Sequence, residues 1–110
     1  MPAIEEWKRG RRFNTALNVV MANGEDHYVG ETKNVSDTGL CLLPKADFPV
    51  GTQLHLVFGR PPELPPLTAQ GIVRWSEDGK GVGVQFTSMS LNDQQALLRF
   101  VMAQPHREQV

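Results

Sequence analysis

The sequence predicts a mainly β domain, either a barrel or a sandwich, with one helix at its C-terminus. Short runs of alternating apolar and polar residues recur along the chain, and clusters of turn residues separate them. Helical spacing of apolar residues appears only near the C-terminus. The chain has 110 residues, a length that predicts one domain.

Two tight turns organise the first half of the chain. The pair Asn23-Gly24 is typical of a two-residue hairpin turn, because both residues tolerate positive φ. The sequence Asp37-Thr38-Gly39 predicts a second tight turn. Strands are predicted on either side of these turns, over residues 16–22, 28–35 and 40–43, and the first of them places Leu17, Val19 and Met21 on one face.

The second half of the chain predicts three more strands. Residues 52–58 alternate with Leu54, Leu56 and Phe58 inward. Residues 59–66 hold four prolines, which predicts a loop and excludes a central strand. The last two predicted strands, residues 68–75 and 82–86, form a hairpin across residues 76–81, and Val82, Val84 and Phe86 share one face.

A helix is predicted over about residues 90–103. Ser90 is a predicted N-cap that accepts a hydrogen bond from the amide of Asp93, and Pro105 marks the end of the helix. Its predicted apolar face contains Leu91, Gln95, Leu98, Val101 and Met102. The predicted organisation is a flexible basic arm (1–15), a folded domain (16–104) and a short tail (105–110).

Composition and motifs give no support for an enzyme or a membrane protein. The net charge is −1, so the chain as a whole does not attract nucleic acid. The three histidines are far apart, and none has a cysteine or carboxylate at metal-ligand spacing. The single cysteine, Cys41, excludes an intramolecular disulfide, and no signal peptide or bilayer-spanning segment is visible. We therefore expect a cytoplasmic protein without enzymatic activity, metal or cofactor.

Two polar segments could carry a binding function. Residues 9–13 contain Arg9, Arg11 and Arg12 just before the first strand, and arginine forks fit phosphate oxygens and stack on purine faces. Residues 34–39 offer asparagine and serine side chains that can bond a base edge or a phosphate. Each segment also has a simpler interpretation, as a solvated charge run and as a turn held by local hydrogen bonds.

Together and in this order, the two segments resemble the signature of the PilZ family, an Arg-x-x-x-Arg arm followed by an Asp/Asn-x-Ser-x-x-Gly turn. The turn motif is complete in Asn34, Ser36 and Gly39. Three further segments, residues 49–52, 71–75 and 81–86, are similar to the family's Pro-x-Gly turn and its Gly-x-Val-x-Trp and Gly-x-Gly-Val-x-Phe strands.

The resemblance implies a six-stranded antiparallel β-barrel with a C-terminal helix that binds cyclic di-GMP outside the barrel. It implies ligand contacts from Arg11, Arg12, Asn34, Ser36, Gly39 and Trp75. A stand-alone module of this kind would pass the signal to an unidentified protein partner in motility, pili, biofilm formation or surface behaviour. Trp75 has a second interpretation, as an aromatic residue of the barrel core or rim.

The arm departs from the family pattern at one position. The family reads Arg-Arg-Phe-x-Arg where this chain has Thr15 in place of the last arginine. Loss of one charge-assisted hydrogen bond, about 1.5–3 kcal/mol, would weaken binding roughly tenfold to a hundredfold. The alternative is therefore a degenerate PilZ-like adaptor that acts by protein contacts without the ligand. A nucleic-acid-binding barrel is less favoured, because its strands lack interleaved basic and aromatic residues.

Overall fold

The computed structural model describes residues 12–43 and 48–103. The described strands and helix are β1 Asn18–Asn23, β2 Asp26–Val35, β3 Gly39–Leu42, β4 Gln53–Arg60, β5 Leu64–Glu77, β6 Gly81–Ser88 and α1 Leu91–Ala103. The strands form a closed barrel in the order β1-β2-β3-β6-β5-β4, and all neighbours are antiparallel. This architecture confirms the predicted fold class, a six-stranded antiparallel barrel with a C-terminal helix.

The alternating apolar side chains of the strands point into the barrel, as the period of two predicts. Leu54, Leu56 and Phe58 on β4 are each at most 1% exposed. On β6, Val82 and Val84 are buried as well. Further residues that complete the barrel core are Leu17, Val19, Met21, Val35, Leu40, Leu42, Leu64, Leu67, Ala69 and Val73.

We expect Leu56→Ala to lower the free energy of unfolding by about 2–4 kcal/mol, because it removes a fully buried side chain and leaves a cavity. Gln53→Ala, at an exposed position on the same strand, should change it by less than about 0.5 kcal/mol. Urea denaturation of the two variants measures the difference. Equal small effects would show that the inward face of β4 is assigned incorrectly.

The first hairpin turn lies one residue later than predicted. Asn23 pairs with Asp26, so Gly24 and Glu25 form the two-residue loop. Gly24 has φ 64°, and no described residue other than glycine has positive φ. Glycine at the first central position followed by an ordinary residue is the pattern of a type II′ turn. The prediction at Asn23-Gly24 assumed a type I′ turn, which needs positive φ at both central residues.

The proline-rich segment 59–66 does contribute to a strand, which contradicts the predicted loop. β5 begins at Leu64 and includes Pro65 and Pro66. Along this part of β5 the pairing is with β4 alone, because the pairing with β6 begins at Gln70. Proline lacks an N–H group, and a strand that is paired on one side tolerates that loss.

The N-terminus of α1 is capped as predicted. The amide of Asp93 donates to Oγ of Ser90, with an N–O distance of 3.1 Å. The Asp93 carboxylate in turn accepts a hydrogen bond of 3.1 Å from the amide of Thr68 on β5. The first turn of the helix therefore contains both its N-terminal cap and its attachment to β5.

The buried face of α1 agrees only in part with the predicted one. The helix buries Leu97, Phe100 and Val101, which stand at i, i+3 and i+4. Leu91, from which the predicted face was counted, is 66% exposed. Two residues of the predicted face do contact the core, because Val101 is buried and Leu98 packs against it. The prediction was wrong in counting the face from Leu91. Within the described residues, no helix has the length and apolar character needed to cross a bilayer.

Residues 12–15 are packed on the barrel, although the sequence predicts that they belong to a flexible arm. Phe13 is 1% exposed and forms an antiparallel bridge with Val35, in which each amide donates to the other carbonyl at 2.8 and 3.0 Å. Burial of the phenyl ring explains the difference. The packed domain therefore includes Phe13, and the predicted boundary at residue 16 is too late. Residues 1–11 and 105–110 lie outside the described residues.

The buried hydroxyl of Thr32 holds the segment that leads into β1. It accepts a 2.8 Å hydrogen bond from the amide of Leu17 and donates one of 2.5 Å to the carbonyl of Thr15. Thr15 is itself 5% exposed, and among the described residues its Oγ1 has no hydrogen-bond partner. The position at which the family has its second arginine thus faces the protein interior.

We expect Thr15→Val to raise the free energy of unfolding by about 1 kcal/mol, because a methyl group replaces a buried hydroxyl without a partner. The same change at Thr32 should lower it by about 1–3 kcal/mol, because two hydrogen bonds are lost. Thermal denaturation of both variants tests the contrast. A destabilised Thr15→Val protein would mean that the Thr15 hydroxyl is bonded.

Candidate functional site

The turn between β2 and β3 is held together by the side chain of Ser36. Ser36 is fully buried, and its Oγ accepts a 3.2 Å hydrogen bond from the amide of Thr38. The Ser36 amide donates to the carbonyl of Gly39 at 2.8 Å. These are the local bonds of a serine-stabilised turn. Ser36 therefore shapes the turn from inside and does not present its hydroxyl at the surface.

Gly39 is required by a close approach of strands and not by an unusual backbone conformation. It pairs with Gln85 across β3 and β6, and it does not belong to the glycines with positive φ. A Cβ atom at this position would overlap the carbonyl oxygen of Val84. The sequence-based interpretation, that Gly39 allows a tight turn, is therefore replaced by one in which it lets β6 approach the turn.

Arg12 and Asn34 meet at the end of β2. Nη1 of Arg12 donates to Oδ1 of Asn34 over 3.3 Å, and Asn34 is 6% exposed. Arg12 itself is half-buried. This contact fixes the position of the guanidinium next to the turn, where the remaining N–H groups can bind an anion or stack on a planar group.

Trp75 reaches the surface because of an irregularity in β5. Strict alternation from the buried Val73 would point Trp75 inward, but the register with β6 shifts between these two residues. Bulges of this kind re-aim side chains. Trp75 is 41% exposed, and its indole lies directly on Gly83, where a Cβ atom would overlap the ring nitrogen. One face of the indole thus rests on backbone, which leaves the ring as an exposed platform.

Two adjoining open cavities lie around Arg12 and Trp75 on the outside of the barrel. The larger cavity measures about 490 Å³ and the smaller about 240 Å³. Arg12, Trp75 and Gly83 line both. The larger cavity is also lined by Lys33, Asn34, Cys41, Glu77 and Lys80. The smaller one is completed by Thr38, Arg74, Val84 and Gln85. We call this combined surface the Trp75 surface.

Two ionisable groups near the Trp75 surface have shifted pKa values. Burial raises the pKa of the Asp37 carboxyl above 3.8, and hydrogen bonds to the backbone and the charge of Arg12 oppose that rise. Burial also raises the pKa of the Cys41 thiol above 9.0, against the opposing charges of Lys33 and Arg12. Cys41 is therefore a protonated thiol at neutral pH, which makes it a poor nucleophile.

The structure brings together three of the six residues that the resemblance assigns to the ligand. Arg12, Asn34 and Trp75 line one cavity, whereas Ser36 and Gly39 support the turn beside it. Arg11 lies outside the described residues. Within residues 12–43 and 48–103, no group of three histidine, cysteine, aspartate or glutamate residues is arranged to hold a metal ion.

Sequence reasoning missed Lys33, Arg74, Lys80 and Gly83 as residues of the Trp75 surface. Gly83 carried a visible signal, because a glycine in the middle of a strand often marks a close approach of another group. The sequence contains no comparable signal for Lys33, Arg74 and Lys80, because lysine and arginine are common at exposed positions of many strands.

Residues 6–103 of the chain match the family model of the PilZ domain. The chain belongs to the PilZ domain family. The match covers most of the sequence and confirms the resemblance drawn from the arm, the turn and the strand motifs. PilZ domains are binding and adaptor modules.

Two solved structures share the fold of this PilZ domain. The inhibitor of motility MotI/DgrA from Bacillus subtilis superposes with a TM-score of 0.71 at 21% identity, over 86% of this chain and 48% of that protein. The PilZ domain of CeSA from a cellulose-synthesizing bacterium gives 0.62 at 19% identity, over 83% of this chain and 94% of that one. The chain thus spans about half the length of MotI/DgrA. No curated protein matches it in sequence.

Proposed function

We propose that this PilZ domain binds cyclic di-GMP at the Trp75 surface. The observation that carries the proposal is the exposed indole of Trp75 on Gly83, next to the guanidinium of Arg12. Stacking of a nucleobase on an aromatic ring contributes about 1–3 kcal/mol. Arginine adds charge-assisted hydrogen bonds to phosphate oxygens. A purine nucleotide with a phosphodiester group offers both partners.

The turn between β2 and β3 has a supporting role in this proposal. Asn34 orients Arg12 through its 3.3 Å hydrogen bond, and Ser36 and Gly39 hold the turn against β6. Loss of the Ser36 hydroxyl would thus weaken binding through the position of the turn. Asn34, Ser36 and Gly39 thus mainly position the side chains that contact the ligand.

We propose further that the occupied Trp75 surface is recognised by a partner protein in the cytoplasm. Ligand bound there would cover Trp75 and Arg12 and add phosphate charge to an open part of the barrel. The name of MotI/DgrA, an inhibitor of motility, makes motility the first process in which to look for the partner. In this proposal the module itself catalyses no reaction.

A second candidate function is that of an adaptor that does not bind the ligand. The observation that favours it is the inward orientation of Thr15, which leaves the arm without a cation at that position. An adaptor would use the same barrel for protein contacts alone. The two candidates differ in one measurable property, the affinity for cyclic di-GMP.

Calorimetric titration with cyclic di-GMP tests the proposal. We expect saturable binding, and we expect Arg12→Ala to weaken it roughly tenfold or more, because one charge-assisted contact is lost. Arg99→Ala, at an exposed position on α1 that lines neither cavity, is the matched control and should bind as the native chain does. If no heat of binding were measured at millimolar cyclic di-GMP, the result would favour the adaptor function instead.

A further inference from the structure

Two lysines line the larger cavity of the Trp75 surface, and their surroundings differ. Lys80, in the turn between β5 and β6, has its Nζ 3.3 Å from a carboxylate oxygen of Glu77. Lys33, on β2, forms no ion pair and no side-chain hydrogen bond with any residue in the ranges 12–43 and 48–103. Among the described residues, one of the two lysines is therefore ion-paired and the other is not.

Lys33 lines the same cavity as Arg12. It precedes Asn34, the residue that holds the Arg12 guanidinium, and both cations act electrostatically on the thiol of Cys41. Asn34 pairs with Cys41, Cys41 pairs with Gly83, and Gly83 pairs with Trp75, so Lys33 immediately precedes the residue whose row of the sheet ends at the indole. A group stacked on Trp75 thus lies in a cavity that both cations line.

We propose that Lys33 and Arg12 jointly hold the phosphodiester of the ligand, while Glu77 keeps Lys80 from contributing; this inference rests on the proposed function. Lysine is a flexible point charge with three donors, which suits a phosphate that is approached from the side of β2. The inward-facing Thr15 supplies no cation, and Lys33 provides a second positive charge from β2.

Calorimetry with cyclic di-GMP on matched lysine variants tests the inference. Lys33→Gln should weaken binding about tenfold, the loss that one charge-assisted hydrogen bond predicts. Lys33→Arg should retain nearly the native affinity, because it keeps the charge. Lys80→Gln should lose less than about threefold, since the Glu77 carboxylate beside Lys80 already offsets its charge. Arg99→Gln controls for the change in net charge.

The variant Glu77→Gln provides an independent test, because it is expected to bind cyclic di-GMP more tightly than the native chain. The change removes a carboxylate from an anion-binding cavity and frees Lys80, so binding should become about threefold tighter at low salt. Added salt should reduce that gain, because exposed charges are screened. Unchanged affinity of this variant would contradict the masking of Lys80.

The outcomes separate this inference from the proposed function. Native binding with an equal affinity of Lys33→Gln would overturn the role of Lys33 and leave the proposed function intact. Equal losses in Lys33→Gln and Lys80→Gln would also overturn it. Absence of binding by the native chain would overturn the proposed function, and the inference with it. Lys33 is exposed, so melting temperatures without ligand should be the same for all lysine variants.

Discussion

Replacing Trp75 with alanine is expected to lower the affinity for cyclic di-GMP by roughly tenfold to a hundredfold. The indole is the one aromatic group that lines the cavities in the described part of the chain, and stacking of a base contributes about 1–3 kcal/mol. The free energy of unfolding should change much less, because the ring is 41% exposed and lies outside the barrel core.

Trp75→Phe is the control for this prediction, since it keeps an aromatic face and should lose only a few-fold in affinity. Calorimetry gives the affinities, and urea denaturation gives the stabilities. If Trp75→Ala destabilised the barrel by more than about 3 kcal/mol and left affinity unchanged, the indole would be a core residue and the platform would have no role in binding.

Gly39→Ala is expected to destabilise the barrel by about 3 kcal/mol or more. The added Cβ atom would overlap the backbone carbonyl of Val84, so β3 and β6 would have to separate where they pair. Overpacking against side chains commonly costs about 1–3 kcal/mol, and backbone is less able to move aside. Because the turn is built on this pairing, ligand binding should weaken as well.

Gly79→Ala is the matched control. Nothing lies within 4 Å of a Cβ atom there, but Gly79 has φ 79°, so the change isolates the cost of an unfavourable backbone conformation, about 1–2 kcal/mol. Urea denaturation of both variants measures the difference. A cost at Gly39 no larger than that at Gly79 would contradict the steric requirement at Gly39.

Much of the fold is encoded in local patterns that a single sequence displays. The inward faces of β4 and β6 follow directly from alternation, and the Ser90 cap locates the start of α1. Predictions failed where the outcome depends on contacts between distant segments. The one-sided pairing of β5 explains why prolines are tolerated there, and the buried face of α1 depends on how the helix meets the barrel.

The candidate site was predictable in its motifs and not in its geometry. Asn34 and Arg12 were both expected at the ligand, and the structure joins them by a hydrogen bond. The period of two cannot predict the exposure of Trp75, because the register shift that turns the ring outward is set by pairing with β6. Sequence alone also leaves the inward orientation of Thr15 undetermined. That orientation depends on the hydrogen bond from the Thr32 hydroxyl to the carbonyl of Thr15.

The most direct test of the account is an NMR titration that follows the indole Nε1–H of Trp75 while cyclic di-GMP is added. A Trp7→Phe background leaves Trp75 as the chain's single tryptophan. We predict a saturable shift of this resonance, with the largest accompanying changes at Arg12, Asn34 and Gly83, because a guanine stacked on the indole imposes its ring current there. An indole resonance that stays unchanged at saturating ligand would contradict binding at the Trp75 surface.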